Sequence, residues 1–470
     1  MELTKTNFIH YLSCPKSFWV YKKDNENYPD GNFTAFMQKL TRESDEVMEY
    51  VHTLFEASRN STISYHKTFR SNDGLLTKID CFEVNAKSQT CLYEVKSSTS
   101  IKKSGNNNHI KDACFQTITA ERSGQKIDKI ILIYLNGKYV RKGAINPKSL
   151  LIFEDVTDEV RKIYAETSTE INQALHLLAK AKIDLKRCSC IYKSKAHHCD
   201  TFEYFNPDIS NQSIYNLPRL SPKKRKEFLM AGIMNLQDVP VNYLLSEIQT
   251  RVLRSAQSGE PQIDRTEISD TLKEYQYPLY FFDYETYASA VPLIDGVSPH
   301  KHFPIQYSLH ILEKDGTLTH KDFLQHEAKL PLNLIEQMEE DFGETGSIVS
   351  WHASFERKQN QEMAKWYPEK RNFLNDINSR LVNLEDVFKL AYVDAHFDGS
   401  TSIKKVLPII CPHLDFKELN IQDGTSAMDA WEKMIAFPEI ETKIQAKALL
   451  SYCEMDTFAM VEIYRFLIQL

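Results

Sequence analysis

The run Leu279-Tyr280-Phe281-Phe282 leads without a break into Asp283-Tyr284-Glu285, and that junction constrains the fold more than any other stretch. Consecutive apolar residues without alternation describe a strand covered on both faces, so the region predicts a sheet flanked by helices. Asp283 and Glu285, two apart, share one face of that strand. Unpaired buried charge is costly, so the pair demands a partner, and two divalent ions would serve. Later segments carry further acids: Ile348-Val349-Ser350-Trp351 reads as a strand running into a helix that starts near Glu356. Tyr452 and Asp456, four apart, lie on one face of a late helix.

Asp-x-Glu on a first strand followed by Tyr-x-x-x-Asp on a late helix resembles the DnaQ-like 3′-5′ exonucleases, an RNase H-like fold, over about residues 278–470. The resemblance implies that Asp283, Glu285 and Asp456 hold two magnesium or manganese ions, while Tyr452 positions the attacking water. That family's middle acid is usually aspartate; here it would be Glu356, with Asp386 as a second candidate that could instead cap its helix. Ser402-Ile403-Lys404-Lys405 resembles the capped helix that such folds place near the substrate strand. The plain alternative is a domain of this fold whose acids are satisfied by hydrogen bonds and do no catalysis.

A second acidic constellation stands in the front half. In Cys91-Leu92-Tyr93-Glu94-Val95-Lys96 the side chains of a strand alternate, so Glu94 and Lys96 share a face. A polar turn at Asn85-Ala86-Lys87-Ser88 lets the preceding strand fold back, which brings Asp80 towards Glu94. Magnesium takes such carboxylate oxygens, and a neighbouring lysine can orient water and offset phosphoryl charge. By itself this is also an ordinary solvent-facing hairpin. With Gln116 on the helix that follows, the order resembles RecB-type PD-(D/E)XK nucleases. That resemblance implies metal on Asp80, Glu94 and the Val95 carbonyl, nucleophile support from Lys96 and orientation by Gln116. His52 is the candidate for an upstream histidine ligand, and could equally be core.

Nine cysteines form an odd set in a chain whose start lacks the form of a signal peptide, so free or metal-bound thiols are expected and the cytosol is the expected compartment. Cys14 precedes the front constellation, and Cys188, Cys190 and Cys199 follow it. Four thiolates suit an iron-sulfur cluster or a structural zinc ion, and either would close the domain. One early and three late cysteines resemble the iron-sulfur RecB-like nucleases of CRISPR adaptation and helicase-nuclease repair, which implies a 4Fe-4S cluster. The Cys-x-Cys spacing departs from the commonest one, and His197 or His198 could replace a thiol in a zinc site.

The 470 residues therefore read as α/β throughout, with two nuclease-like domains, PD-(D/E)XK over 1–205 and RNase H-like over 276–470, joined by a helical module over 206–275. In that module a basic helix at Pro222-Lys223-Lys224-Arg225-Lys226 ends near Gly232, the pattern of a helix-hairpin-helix or of a plain capped linker. A net charge of -7 argues that any nucleic-acid surface is local, and no apolar run suggests a membrane span. As a whole the chain resembles a bacterial family catalogued as a domain of unknown function in which two nuclease-like halves are fused. The expected activity is metal-dependent hydrolysis of DNA, or else of RNA, in repair or mobile-element defence. The rival expectation is a nucleic-acid-binding or assembly factor that keeps the folds without turnover.

Overall fold

Thr4 ends a short strand, β1 (Leu3–Thr4), and its hydroxyl accepts the Asn7 N–H to start α1 (Lys5–Ser13). Pro15 at the first helical position opens α2 (Pro15–Lys23), and α3 (Ala35–Glu56) follows. Next come β2 (Ser61–Arg70), β3 (Leu75–Asn85), β4 (Thr90–Lys96), α4 (His109–Arg122), β5 (Lys129–Leu135), β6 (Leu151–Asp155) and α5 (Thr157–Ala179). These strands form one sheet in the order β1-β3-β4-β5-β6, with β2 also paired to β3. β3 and β4 are antiparallel with Cys81 opposite Tyr93, so Asp80 and Glu94 come next to each other; β4 and β5 are parallel.

The computed structural model describes residues 2–29, 34–56, 61–105, 107–436 and 439–470. The chain is mixed α/β and divides into two units, Met1–Asp208 with Ser289–His300, and Ile209–Ala288 with Lys301–Leu470. In the first, the sheet face bearing Phe82, Leu92 and Leu132 packs on Phe8, Phe18 and Phe115 of the helices. Burial of each such phenylalanine contributes about 1.5–3 kcal/mol relative to exposure. The opposite face, with Cys81, Val95 and Ile133, packs against Val47 and Val51 of α3 and against Val291.

The second unit begins with α6 (Pro222–Met230) and α7 (Glu247–Ser258). Ile214, Phe228, Leu236 and Val252 cluster with Val393 and Ala395, so the stretch after 208 packs within this unit. Ser221 caps the basic α6, accepting from the Lys224 N–H, and Gly232 beyond its end takes φ +74. The sheet then forms from β7 (Leu279–Tyr287), β8 (Phe303–Leu312), β9 (Leu318–Leu324), β10 (Ile348–Ser350) and, after α8 (Ala353–Trp366), β11 (Leu381–Asn383). Their order is β9-β8-β7-β10-β11, antiparallel from β9 to β7 and parallel from β7 to β11. Every position of β7 except Asp283 is buried, which accounts for its unbroken apolar run. α9 (Ile403–Ile410), α10 (Gly424–Ala436) and the long α11 (Glu439–Leu467) complete the unit. No helix among the described residues is long and apolar enough to cross a membrane.

Candidate metal centres

The four cysteines singled out from spacing converge. Sulfurs of Cys14, Cys188, Cys190 and Cys199 all lie within 4.8 Å of one another, with Cys188 and Cys199 at 3.8 Å. Cys14 caps α2, its sulfur accepting the Ser17 N–H at 3.5 Å, while hydrogen bonding with the other three cysteines and burial push its thiol well above the usual range. Asn206 Nδ2 donates to Cys188 at 3.7 Å, and Lys193 Nζ reaches the Ser13 carbonyl at 2.6 Å. Hydrogen bonding to Cys14 brings the Cys190 thiol down to about 7 and lowers Cys188 as well. This buried group can bind a metal or a cluster, and it ties the first helices to the end of the unit. His197 bonds Ser194, and His198 stacks on Phe202.

The first carboxylate centre sits where β3, β4, α1 and α4 meet. Asp80 Oδ2 accepts the Val95 N–H at 2.8 Å, and the buried Glu94 lies beside it. Burial, and then the charge of Glu94, push Asp80 up to about 7. Glu94 itself is held ionised well below the usual carboxylate range, because Lys5 and Lys96 outweigh its burial. Lys5 Nζ stands 2.5 Å and Lys96 Nζ 2.8 Å from its Oε1, while Gln116 Nε2 donates to its Oε2 at 2.5 Å. Lys96 also bonds Asp112 at 2.6 Å, and Gln116 Oε1 is buried with no partner. An open cleft of about 320 Å³ adjoins these groups, lined by Lys5, Lys96, Lys102 and His109. Spacing brought Asp80, Glu94, Lys96 and Gln116 together; it gave no signal for Lys5 or Asp112. His52 packs its ring 4.0 Å from that of Tyr65.

The second carboxylate centre gathers Asp283 and Glu285 from β7, Glu356 from the first turn of α8, and Asp456 from α11. Burial, offset by Lys404, pushes Asp283 up to about 7. Glu285, Glu356 and Asp456 are raised well above the usual range by burial and then by the charge of Asp283. Carboxyl groups that oppose one another this strongly, with Glu356 Oε2 buried and unpartnered, fit a divalent-cation cradle on charge and donor set. Tyr452 is buried beside them, and Lys404 Nζ on α9 stands 3.0 Å from its hydroxyl. The fully buried Cys453 also lies here, its sulfur within 4.8 Å of ligand atoms of Asp283 and Glu285. Asp386 instead pairs with Lys389 at 3.2 Å.

Comparison with known proteins places residues 280–402 in a match to a family described as a domain of unknown function (DUF2779). That span carries Asp283, Glu285 and Glu356. An uncharacterized protein MG366 homolog of Mycoplasma pneumoniae is 22% identical over 409 residues, covering 74% of this chain and 61% of the relative. The chain thus spans about three fifths of that relative's length. A trifunctional (S)-stylopine/(S)-nandinine/(S)-canadine synthase of Argemone mexicana is 29% identical over 89 residues, 18% of each chain.

Proposed function

We propose that the chain is a metal-dependent nuclease that hydrolyses phosphodiester bonds in DNA, or else RNA, at two separate carboxylate centres on a PD-(D/E)XK-like and an RNase H-like domain. The observation that carries the reading is the convergence of Asp283, Glu285, Glu356 and Asp456 beside the Tyr452 hydroxyl, all four raised by burial and the last three also by the charge of Asp283. At this centre Asp283, Glu285 and Asp456 would hold magnesium or manganese. When bound, such ions acidify water and offset charge on a phosphoryl group. Tyr452, its hydroxyl held by Lys404, orients the attacking water, and the burial of Glu285 and Glu356 limits the access of bulk solvent to the site. At the first centre Asp80 and Glu94 would hold the ion, Gln116 fixes the Glu94 carboxylate, and Lys5, Lys96 and Lys102 line a cleft suited to a phosphate backbone.

One observation favours a second reading for the first centre. Lys5 and Lys96 already neutralise Glu94, so this centre suits a module that binds nucleic acid without cutting it. The thiol group likewise has two readings. The sequence resemblance carries a 4Fe-4S cluster; the 3.8 Å separation of Cys188 and Cys199 matches the edge of about 3.8 Å that four sulfurs make around one zinc ion at about 2.3 Å. Broad visible absorption with bound iron selects the cluster, and colourless protein with bound zinc selects the ion.

Purified full-length chain with manganese, assayed on single- and double-stranded DNA and on RNA, tests the activity. Asp283→Ala is expected to lower cleavage by at least about tenfold on one substrate class, because a lost metal ligand costs no less than a lost supporting residue. Asp80→Ala should either lower cleavage on another class or, under the binding-module reading, leave cleavage intact and weaken retention. Absence of cleavage on every substrate would sink the nuclease reading.

A further inference from the structure

Beside the second carboxylate centre, Phe281, His310 and His320 stand in one row across β7, β8 and β9, so both histidines share one sheet face. Their rings lie 4.4 Å apart. A nitrogen of each lies within 4.8 Å of the other and of a carboxylate oxygen of Glu454 on α11. One nitrogen of each ring is already committed. His310 Nδ1 pairs with Thr457 Oγ1 at 2.8 Å, and His320 Nε2 pairs with Ser308 Oγ at 2.9 Å. The two hydroxyls are joined at 2.7 Å, and Ser308 and Thr457 are fully buried. His310 Nε2 and His320 Nδ1 are thereby left for another partner. His320 Nδ1 lies 3.9 Å from Glu454 and 4.0 Å from Asp322.

Histidines that bind metal characteristically bond a protein oxygen through the other ring nitrogen, which sets the tautomer and aims the ring. Separations near 4 Å are too long for direct hydrogen bonds, yet they suit groups that surround an ion. Two imidazoles with a carboxylate select a divalent transition ion over magnesium, which prefers oxygen alone. We propose that His310, His320 and Glu454, with Asp322 at the rim, form a zinc-class site that fastens α11 to β8 and β9. The site is separate from the nuclease reading, because its donors are not those of the carboxylate centre. Its effect on that centre is indirect: α11 also carries Tyr452 and Asp456, so an ion here would fix the helix that presents them.

The test uses the full chain with its thiol site as purified, in excess magnesium to fill the carboxylate centres, equilibrated with zinc chloride. The expected result is one further zinc per chain in the wild type, retained in Asp283→Asn and lost in both His320→Asn and Glu454→Gln. Zinc should also raise the melting temperature of the wild type but not that of His320→Asn, with far-ultraviolet circular dichroism verifying that each variant is folded. The proposal is overturned if the wild type takes up no further zinc, if folded His320→Asn still binds it, or if Asp283→Asn is the variant that loses it.

Discussion

A carboxyl group that keeps its proton to about pH 7, as Asp283 does, changes how the fold responds to pH. In the unfolded chain the same group ionises near its ordinary value of 3.8. Between those two values the folded state holds more protons than the unfolded one, so stability without added divalent ions falls as pH rises from about 4 to about 7. Glu285, Glu356 and Asp456, raised by burial and then by the charge of Asp283, act in the same direction. Melting temperatures without added divalent ions should therefore decline across that window, and Asp283→Asn should flatten the decline; a melting temperature that rises with pH would contradict it. The four acids were legible because each lies in a local pattern: a strand ending in Asp-x-Glu, a helix start, a Tyr-x-x-x-Asp turn. Lys5 was not, since its partner Glu94 is 89 positions away and nothing near Lys5 points to it. His320 was hidden for another reason: its strand, with Thr319, Lys321 and Asp322 around it, shows no apolar alternation, so no register with His310 could be drawn.

At the scale of elements, α1 brings a cation to the first centre. Lys5 opens that helix directly after the Thr4 cap, and β1 pairs with the start of β3, so the helix N-terminus is delivered beside Asp80 and Glu94. The ammonium of Lys5 on Glu94 competes with any divalent ion for the same oxygen. Lys5→Met should then tighten manganese binding at this centre by about fivefold, the equivalent of about 1 kcal/mol. Manganese titration followed by electron paramagnetic resonance in an Asp283→Asn background checks this, and weaker binding would instead make Lys5 a helper of the ion. Strand β4 was legible because Glu94 and Lys96, two apart, share one face of an otherwise mostly apolar run; α4 takes its start from Asn108, whose side chain accepts from the Ile110 and Lys111 N–H groups. β2 escaped notice because Ser61–Arg70 carries only Ile63, Tyr65 and Phe69 as apolar residues, is interrupted at His66 (φ 53), and draws its order from pairing with β3 along its length.

At the scale of the whole molecule, the alternating α/β pattern was legible in both halves, whereas the way the chain is shared between units was not. Hydrophobic periodicity reports which face is buried, not which partner buries it, so the stretch after 208 read as a connector although its apolar residues pack with Val393 and Ala395. The same blindness applies to Ser289–His300, which lies between two strands of the second sheet yet belongs to the first unit. Ala290 and Val291 join the cluster around Val47 and Leu135 there, and Arg141 donates to the Pro292 carbonyl. A fragment beginning at residue 209 would therefore expose an apolar segment stripped of its bed. It is expected to aggregate or to lose that loop to protease within minutes, while the intact chain resists; a soluble, protease-resistant fragment would refute this. The arrangement also carries a cost during translation. A protein made from its N-terminus usually folds its leading part first, but here the leading part must wait on the ribosome until residue 300 has emerged, holding its last apolar seat open for a segment that has yet to be synthesised.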